Sequence, residues 1–413
     1  MKIEIHVLQN FAASNLNRDD TGTPKDCEFG GVRRARISSQ CLKRAIRQAF
    51  EEHALISPDQ RAARTKRLVE QVAKTVAEKK AVSFDLAERA VSAALGGAGL
   101  KADPDKEWKT QYLLFIPTAA IKKLAGIVVE HFEALATEAE QPVSSSEGEG
   151  AKKSAKAKAR RAKADAKEAV PPEVGSAVKN VLADGARTPE LALFGRMIAD
   201  EPSWNIDAAC QVAHAISTHR VSMEFDFYTA IDDLKPNDTA GSDMMGTVSF
   251  NSACFYRYLV VDADALTSNL GGDVAARQQA KDTVKALVRA AVLAIPTGKQ
   301  NSMAAQNLPS LVLVDVRDGG EARSLANAFV RPVRPPATHV DDIVSQSIER
   351  LGEHLAALDK VYGAKGRKEL GFFVVDSSGE IGKRFAERTG AIDRGSLDGL
   401  VQATADAAFG SES

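Results

Sequence analysis

At 413 residues, 44 % hydrophobic and 26 % charged, the chain has the length of two or three ordinary domains and the composition of a soluble globular protein. Its four cysteines, Cys27, Cys41, Cys210 and Cys254, form no CxxC pair, which argues against a zinc ribbon and fits free thiols in a reducing cytoplasm; no membrane-spanning apolar run or signal-peptide pattern occurs. The net charge of −1 conceals a segregation: residues 29–50 carry six basic residues and no acid, residues 151–167 carry a net +7, and the remainder carries −14, so a local anionic partner is expected.

The chain opens with a strand, because Ile3, Ile5 and Val7 alternate with Lys2, Glu4 and His6. A polar loop is expected from Asn10 to Gly31. Ser38 and Ser39 then offer N-caps for a helix. One face of that helix is Leu42, Ala45, Ile46, Ala49 and Phe50; the other is Lys43, Arg44 and Arg47. Further helices are expected over 59–79, 85–94 and 118–136. Residues 141–175 change character, with a Ser/Glu/Gly run, a Lys/Ala-rich tract and Pro171-Pro172. Such composition buries too little apolar surface to fold alone, so a flexible loop is expected near 143–172.

A second strand-rich region is expected from about Glu190, including a strand over 211–219. Phe225, Phe227, Thr229 and Ile231 alternate with Glu224, Asp226, Tyr228 and Ala230; a turn over 236–243 and a returning strand over 247–250 complete a long hairpin pattern. Strands over 252–261, 311–316 and 372–375 and helices over 274–294, 341–362 and 397–408 follow. Without insertions the order is β-α-β-β-α-β. That is the split βαβ or ferredoxin-like order shared by RNA-recognition modules, so the expected fold class is α+β.

The densest chemical signal is residues 29–47. Gly30 and Gly31 permit close backbone approach, and Arg33, Arg34 and Arg36 precede the helix. Ser38, Ser39 and Gln40 stand at its N-terminus, where free N–H groups favour anions, and Lys43 and Arg47, four apart, extend the cationic ridge. Several phosphates in series fit this layout. No GxxxxGK[ST] or GxGxxG occurs at a strand-to-helix turn, which argues against a nucleotide triphosphatase. Asp19, Asp20 and Asp26 give the alternative, a metal-dependent ribonuclease, although Asp-rich loops are more often turns. Asp232-Asp233 reads as a solvated turn. His214 and His219, five apart on one expected strand, point to opposite faces and read as structural. Cys27 and Cys41 have no histidine nearby to serve as base. Phe225 and Phe227 read as hairpin core, whereas Tyr228 shares the polar face with Glu224 and Asp226, from which a ring can stack on a base. Met197 is a second apolar candidate.

Ile5-His-Val-Leu, Leu16-Asn-Arg-Asp-Asp, Lys25-Asp, Phe29-Gly-Gly, Arg36-Ile-Ser-Ser-Gln, Leu193-Phe-Gly-Arg-Met, Val212-Ala-His-Ala-Ile-Ser-Thr-His, Phe227-Tyr-Thr-Ala-Ile-Asp-Asp, Phe255-Tyr-Arg-Tyr, Asn269-Leu-Gly-Gly and Ala326-Asn-Ala-Phe together resemble the CasC family over nearly the whole chain. CasC is the backbone subunit of Cascade, the type I-E CRISPR RNA-guided surveillance complex. The resemblance implies a right-hand fold. An RRM-like palm (1–55, 186–220 and 250–413, the last including the C-terminal region) would carry helical fingers at 56–185 and a β-hairpin thumb at 221–249. It implies guide-RNA contacts at Arg18, Lys25, Ser38, Gln40, Lys43, Arg44 and Arg47, and RNA-kinking wedges at Met197 and Tyr228. It further implies no catalytic residue, metal or cofactor. The implied partners are the CRISPR guide RNA, target DNA through guide pairing, copies of the chain head to tail, and the other Cascade subunits: the guide-processing endonuclease, the 5′-end cap subunit, and the large and small subunits. The Lys/Ala-rich tract is a departure from the family pattern.

Overall fold

The computed structural model describes residues 1–139, 170–183, 187–198, 201–230, 244–334 and 342–411. The loop expected near 143–172 therefore lies outside the described residues except for 170–172, and so does the turn expected over 236–243. The chain divides into a sheet unit, Met1–Leu55, Ala209–Ser268 and Gly272–Ser413, and a helical unit, Ile56–Ala208 with Asn269–Gly271. Among the described residues no helix is long and apolar enough to cross a membrane.

Strand β1 (Lys2–Ser14) is longer than its alternating core. The polar loop expected over Asn10–Gly31 is strand as far as Ser14, and its last six residues begin a hairpin, β2 (Asp26–Phe29) and β3 (Val32–Ile37). Its two-residue turn, Gly30-Gly31, has φ of +64° and +74°, the doubly left-handed turn that matches strand twist and that glycine reaches without strain. Helix α1 (Ser39–Glu52) buries Leu42, Ala45, Ile46, Ala49 and Phe50, the face its spacing predicts.

In the helical unit, β4 (Ala62–Thr65) precedes α2 (Leu68–Lys80) and α3 (Phe84–Gly97). Short strands β5 (Ala102–Asp103) and β6 (Lys109–Thr110) pair with each other, and β7 (Leu114–Pro117) pairs with β4. Helices α4 (Thr118–Glu130), α5 (Phe132–Ala139), α6 (Pro172–Ala183) and α7 (Pro189–Phe194) follow. The helix expected from residue 59 begins only at Leu68, because Ala62–Thr65 is held extended by β7. Leu68, Val72, Val91, Leu95, Leu124, Val128, Leu135, Val174 and Val178 build one core, which also takes in Ile198 and Trp204. That packing is why the unit runs to Ala208, where the expected insertion stopped at 185. Glu190 begins no strand: Pro189 opens a helix, its fixed φ suiting the first turn.

The sheet unit resumes with β8 (Cys210–Val212), β9 (Ala215–Ser217), β10 (Glu224–Ala230) and β11 (Met244–Asp262). Helices α8 (Ala263–Leu270), α9 (Val274–Leu293) and α10 (Gln300–Met303) lead to β12 (Leu311–Arg317). The chain ends with α11 (Ile343–Tyr362), β13 (Arg367–Val374), α12 (Glu380–Thr389), β14 (Ile392–Asp393) and α13 (Leu397–Phe409). The two strands expected over 247–250 and 252–261 are one: no Pro or Gly interrupts them, so β11 pairs first with β10 and then with β1. The sheet order is β14-β13-β12-β1-β11-β9-β3-β2, with β8 and β10 also on β11; among the described strands β13 and β14 run parallel and the other pairs antiparallel. Helices cover both faces. On one, Ile3, Ile5 and Val7 stand in register with Val316, Val314 and Val312, and Arg257 Nη2 donates to Ala291 O of α9 at 2.7 Å. On the other, Tyr256, Tyr258, Leu313 and Phe372 pack with Leu351 and Leu355 of α11 and Phe385 of α12.

That second face buries His6, whose Nδ1 meets the Tyr256 hydroxyl at 2.9 Å, while the same hydroxyl accepts from Leu325 N at 2.8 Å. Burial, above all, lowers the imidazole from 6.5 to about 4. The unfolded chain takes up this proton near pH 6.5 and the folded one only near 4, so the contribution is fully present above 6.5 and lost as pH falls between the two. The loss amounts to about 3 kcal/mol. Urea unfolding at pH 7 and pH 4.5 should show this slope in the wild type and a shallower one in His6→Gln.

Candidate nucleic-acid interface

Ser38 caps α1: its Oγ accepts from Cys41 N at 3.3 Å, and its own N–H donates to Asn17 Oδ1 at 2.8 Å. Asn17 thereby fastens the 15–25 loop to the helix start. Lys25 N donates to Asn17 O at 2.8 Å, and Arg36 N donates to Lys25 O at 2.9 Å. Arg18 and Lys25 are thus carried to the N-terminal end of α1. Burial raises the Cys41 thiol, and the charges of Lys25 and Arg44 oppose that rise. Lys43 acts instead on the Cys210 thiol of β8, which burial pushes up to about 12. Arg18, Gln40 and Arg44 are exposed; Lys25, Lys43 and Arg47 are half-buried; Ser38 is buried and engaged as the cap. Seven expected contacts therefore gather on one loop and one helix, as cations and polar groups that suit a chain of phosphates.

The three arginines before the helix differ. Arg33 is exposed and paired with Asp26. Arg34 is fully buried and donates to the carbonyls of Phe29, Ser217, Thr218, Phe329 and Val330, so it is a structural cross-link and contributes nothing to a surface ridge. Arg36 donates to Asp26 O and reaches His214 Nδ1 at 3.3 Å. His214 keeps a structural role, but not on the strand expected for it. The strand expected over 211–219 is broken at Ala213-His214 between β8 and β9, and His214 Nδ1 accepts from Ser39 N at 3.3 Å. With Nδ1 an acceptor, the proton sits on Nε2. His219 is structural, as expected, its Nε2 accepting from Cys254 N at 3.2 Å. Exposed Arg220, Arg331 and Arg334 add cations beside β3: Val221 N donates to Arg33 O, and Val333 N to Thr218 O. Their scatter over two distant stretches hid them from a local charge count.

Two of the three aspartates of the ribonuclease alternative are engaged locally. Asp19 Oδ1 accepts from Thr21 Oγ1, Thr21 N and Thr23 N, and these bonds, that of the hydroxyl first, hold its carboxyl below the usual range. Asp26 pairs with Arg33. Among the described residues no three His, Cys, Asp or Glu side chains are grouped to hold a metal ion. Asp232-Asp233 lies outside the described residues.

Both wedge candidates are displayed. In the helical unit, Met197 is 86 % exposed between two anchored neighbours. Arg196 exchanges backbone hydrogen bonds with Ile206 at 2.9 Å, and its guanidinium, lowered by burial to about 10, donates to Trp204 O and Leu182 O; Ile198 N donates to Asn205 Oδ1. The thioether therefore projects from a loop whose backbone is fixed on both sides. In the sheet unit, every residue of β10 is exposed, so Phe225 and Phe227 at 70 % and 63 % are not the core residues expected of them. A two-stranded ribbon has no second layer to bury them. Tyr228, at 39 %, is the most covered ring of the three.

The chain belongs to the CT1975-like protein family, whose profile matches residues 3–403. Among solved structures it is similar to a chain of a "CRISPR RNA-guided surveillance complex, pre-nicking", at 30 % identity and a TM-score of 0.80, covering 99 % of this chain and 100 % of that one. It is similar also to a chain of a "CRISPR RNA-guided surveillance complex", at 26 % identity and a TM-score of 0.71, with the same coverage. No curated protein matches.

Proposed function

We propose that this chain is a non-catalytic CRISPR RNA-binding backbone subunit of a type I-E Cascade complex in the cytoplasm. The full-length likeness to surveillance-complex chains carries the proposal. The antiparallel order β12-β1-β11-β9, with α1 lying between β1 and β9 in the chain and α9 between β11 and β12, supports an RRM-like, ferredoxin-like palm. The helical unit would be the fingers, and β10–β11 the thumb. Arg18, Lys25, Gln40, Lys43, Arg44 and Arg47, with Ser38 holding the helix start, would grip guide phosphates without reading bases, leaving sequence recognition to pairing with target DNA. Met197 and Tyr228 would wedge the guide open at intervals. Copies would stack head to tail along one RNA beside the other Cascade subunits, as open heterologous contacts allow.

The test is to incubate the protein with guide-length RNA and Mg²⁺. A retained complex with intact RNA, unchanged in Asp19→Asn, is expected; cleavage that Asp19→Asn or Asp26→Asn abolishes would overturn the proposal in favour of the nuclease. Tyr228→Ala should weaken assembly by roughly 1–3 kcal/mol, the value of an aromatic–base stack, without changing the salt dependence. Tyr228→Phe should be nearly silent, because the ring does the wedging. Titrations at three salt concentrations check both.

A further inference from the structure

We propose that Gly246 is a positioning residue that seats the Tyr228 ring; this rests on the reading of Tyr228 as an RNA wedge. Gly246 stands directly opposite Tyr228 in the β10–β11 ladder. It is not among the glycines with positive φ, so its backbone is of a kind other residues adopt, and glycine in a strand interior weakens the strand. The need for glycine lies in side-chain space. A Cβ on Gly246 would fall 2.5 Å from Tyr228 Oη, 2.6 Å from Cζ and 2.8 Å from Cε1, inside any permitted contact. The ring therefore lies across the partner strand, directly over the missing side chain. Its lower exposure than Phe225 and Phe227, whose cross-strand partners Ser249 and Thr247 are on the opposite face of the ribbon, is the result. A ring held this way presents its free side already oriented, so stacking a base on it demands less ordering at the moment of binding.

The test compares Gly246→Ala, Tyr228→Ala and the double variant. The first readout is the ¹⁹F resonance of 3-fluorotyrosine at position 228 in the free protein. The second is the periodic chemical reactivity of a bound guide-length RNA. Gly246→Ala is expected to move the fluorine resonance and leave urea unfolding unchanged. It should also cut the periodic reactivity several-fold, towards the Tyr228→Ala level, and add nothing in the Tyr228→Ala background. A damaging Tyr228→Ala with a silent Gly246→Ala, or effects that simply add, would overturn the positioning role. A Tyr228→Ala complex with undiminished periodicity would instead overturn the wedge reading, and the positioning role with it. The fluorine signal tells that outcome apart from a failure to seat the ring.

Discussion

Reversing Lys43 and Arg47 to glutamate together is expected to weaken retention of a guide-length RNA at least tenfold near physiological salt. Each contacted phosphate of a single strand contributes roughly −0.7 to the slope of log affinity on log salt, so losing two should make the slope shallower by about 1.4. Charge reversal adds repulsion to that loss. If copies share one RNA, as proposed, the lesion recurs in each of them. Both positions lie off the buried face of α1, which is Leu42, Ala45, Ile46, Ala49 and Phe50, so the apolar core is untouched and urea unfolding of the free variant should still show a cooperative folded state. Undiminished retention with an unchanged slope would remove α1 from the interface.

Arg34→Met should do the opposite: a large loss of stability and no specific change in salt dependence. Burial lowers the guanidinium from its ordinary value, and five carbonyl oxygens share it, with no carboxylate paired to it among the described residues. Those bonds tie the β2–β3 hairpin to residues 217–218 and 329–330. Orphaned buried acceptors cost about 1–3 kcal/mol each and are partly relieved by relaxation, so a net loss of about 3–5 kcal/mol is expected. Arg34→Lys should recover little, because an ammonium offers three donors on a compact head where a planar fork of five is used. Urea unfolding of both variants checks this. At temperatures where they remain folded, their RNA salt slope should match that of the wild type.

The contrast between Arg34 and its neighbours shows where sequence stops. Helix α1 was legible because its apolar residues repeat at helical spacing and Ser38 offers a cap. The β2–β3 hairpin was not. Asp-Cys-Glu-Phe and Val-Arg-Arg-Ala-Arg-Ile carry no clean alternation, since both faces of β3 meet other elements, and charge count alone treats Arg33, Arg34 and Arg36 as equivalent. The break at Ala213-His214 is hidden for a related reason: two residues between short strands leave no mark on a pattern that otherwise alternates. The β10–β11 hairpin is legible from its alternation, but periodicity cannot say whether a stripe has anything to pack against, and Phe225 and Phe227 do not bury. Arg18 and Lys25 reach α1 through Asn17, whose side-chain Oδ1 accepts from Ser38 N and whose carbonyl accepts from Lys25 N, a link between residues that no local spacing encodes.

Native mass spectrometry of the purified protein with one guide-length RNA tests the central claim most directly. The account predicts a ladder of species in which a single intact RNA carries successive whole-subunit additions, persisting in Mg²⁺ and collapsing in the Lys43→Glu, Arg47→Glu variant. One subunit per RNA whatever the protein excess, or an RNA shortened during incubation, would contradict it.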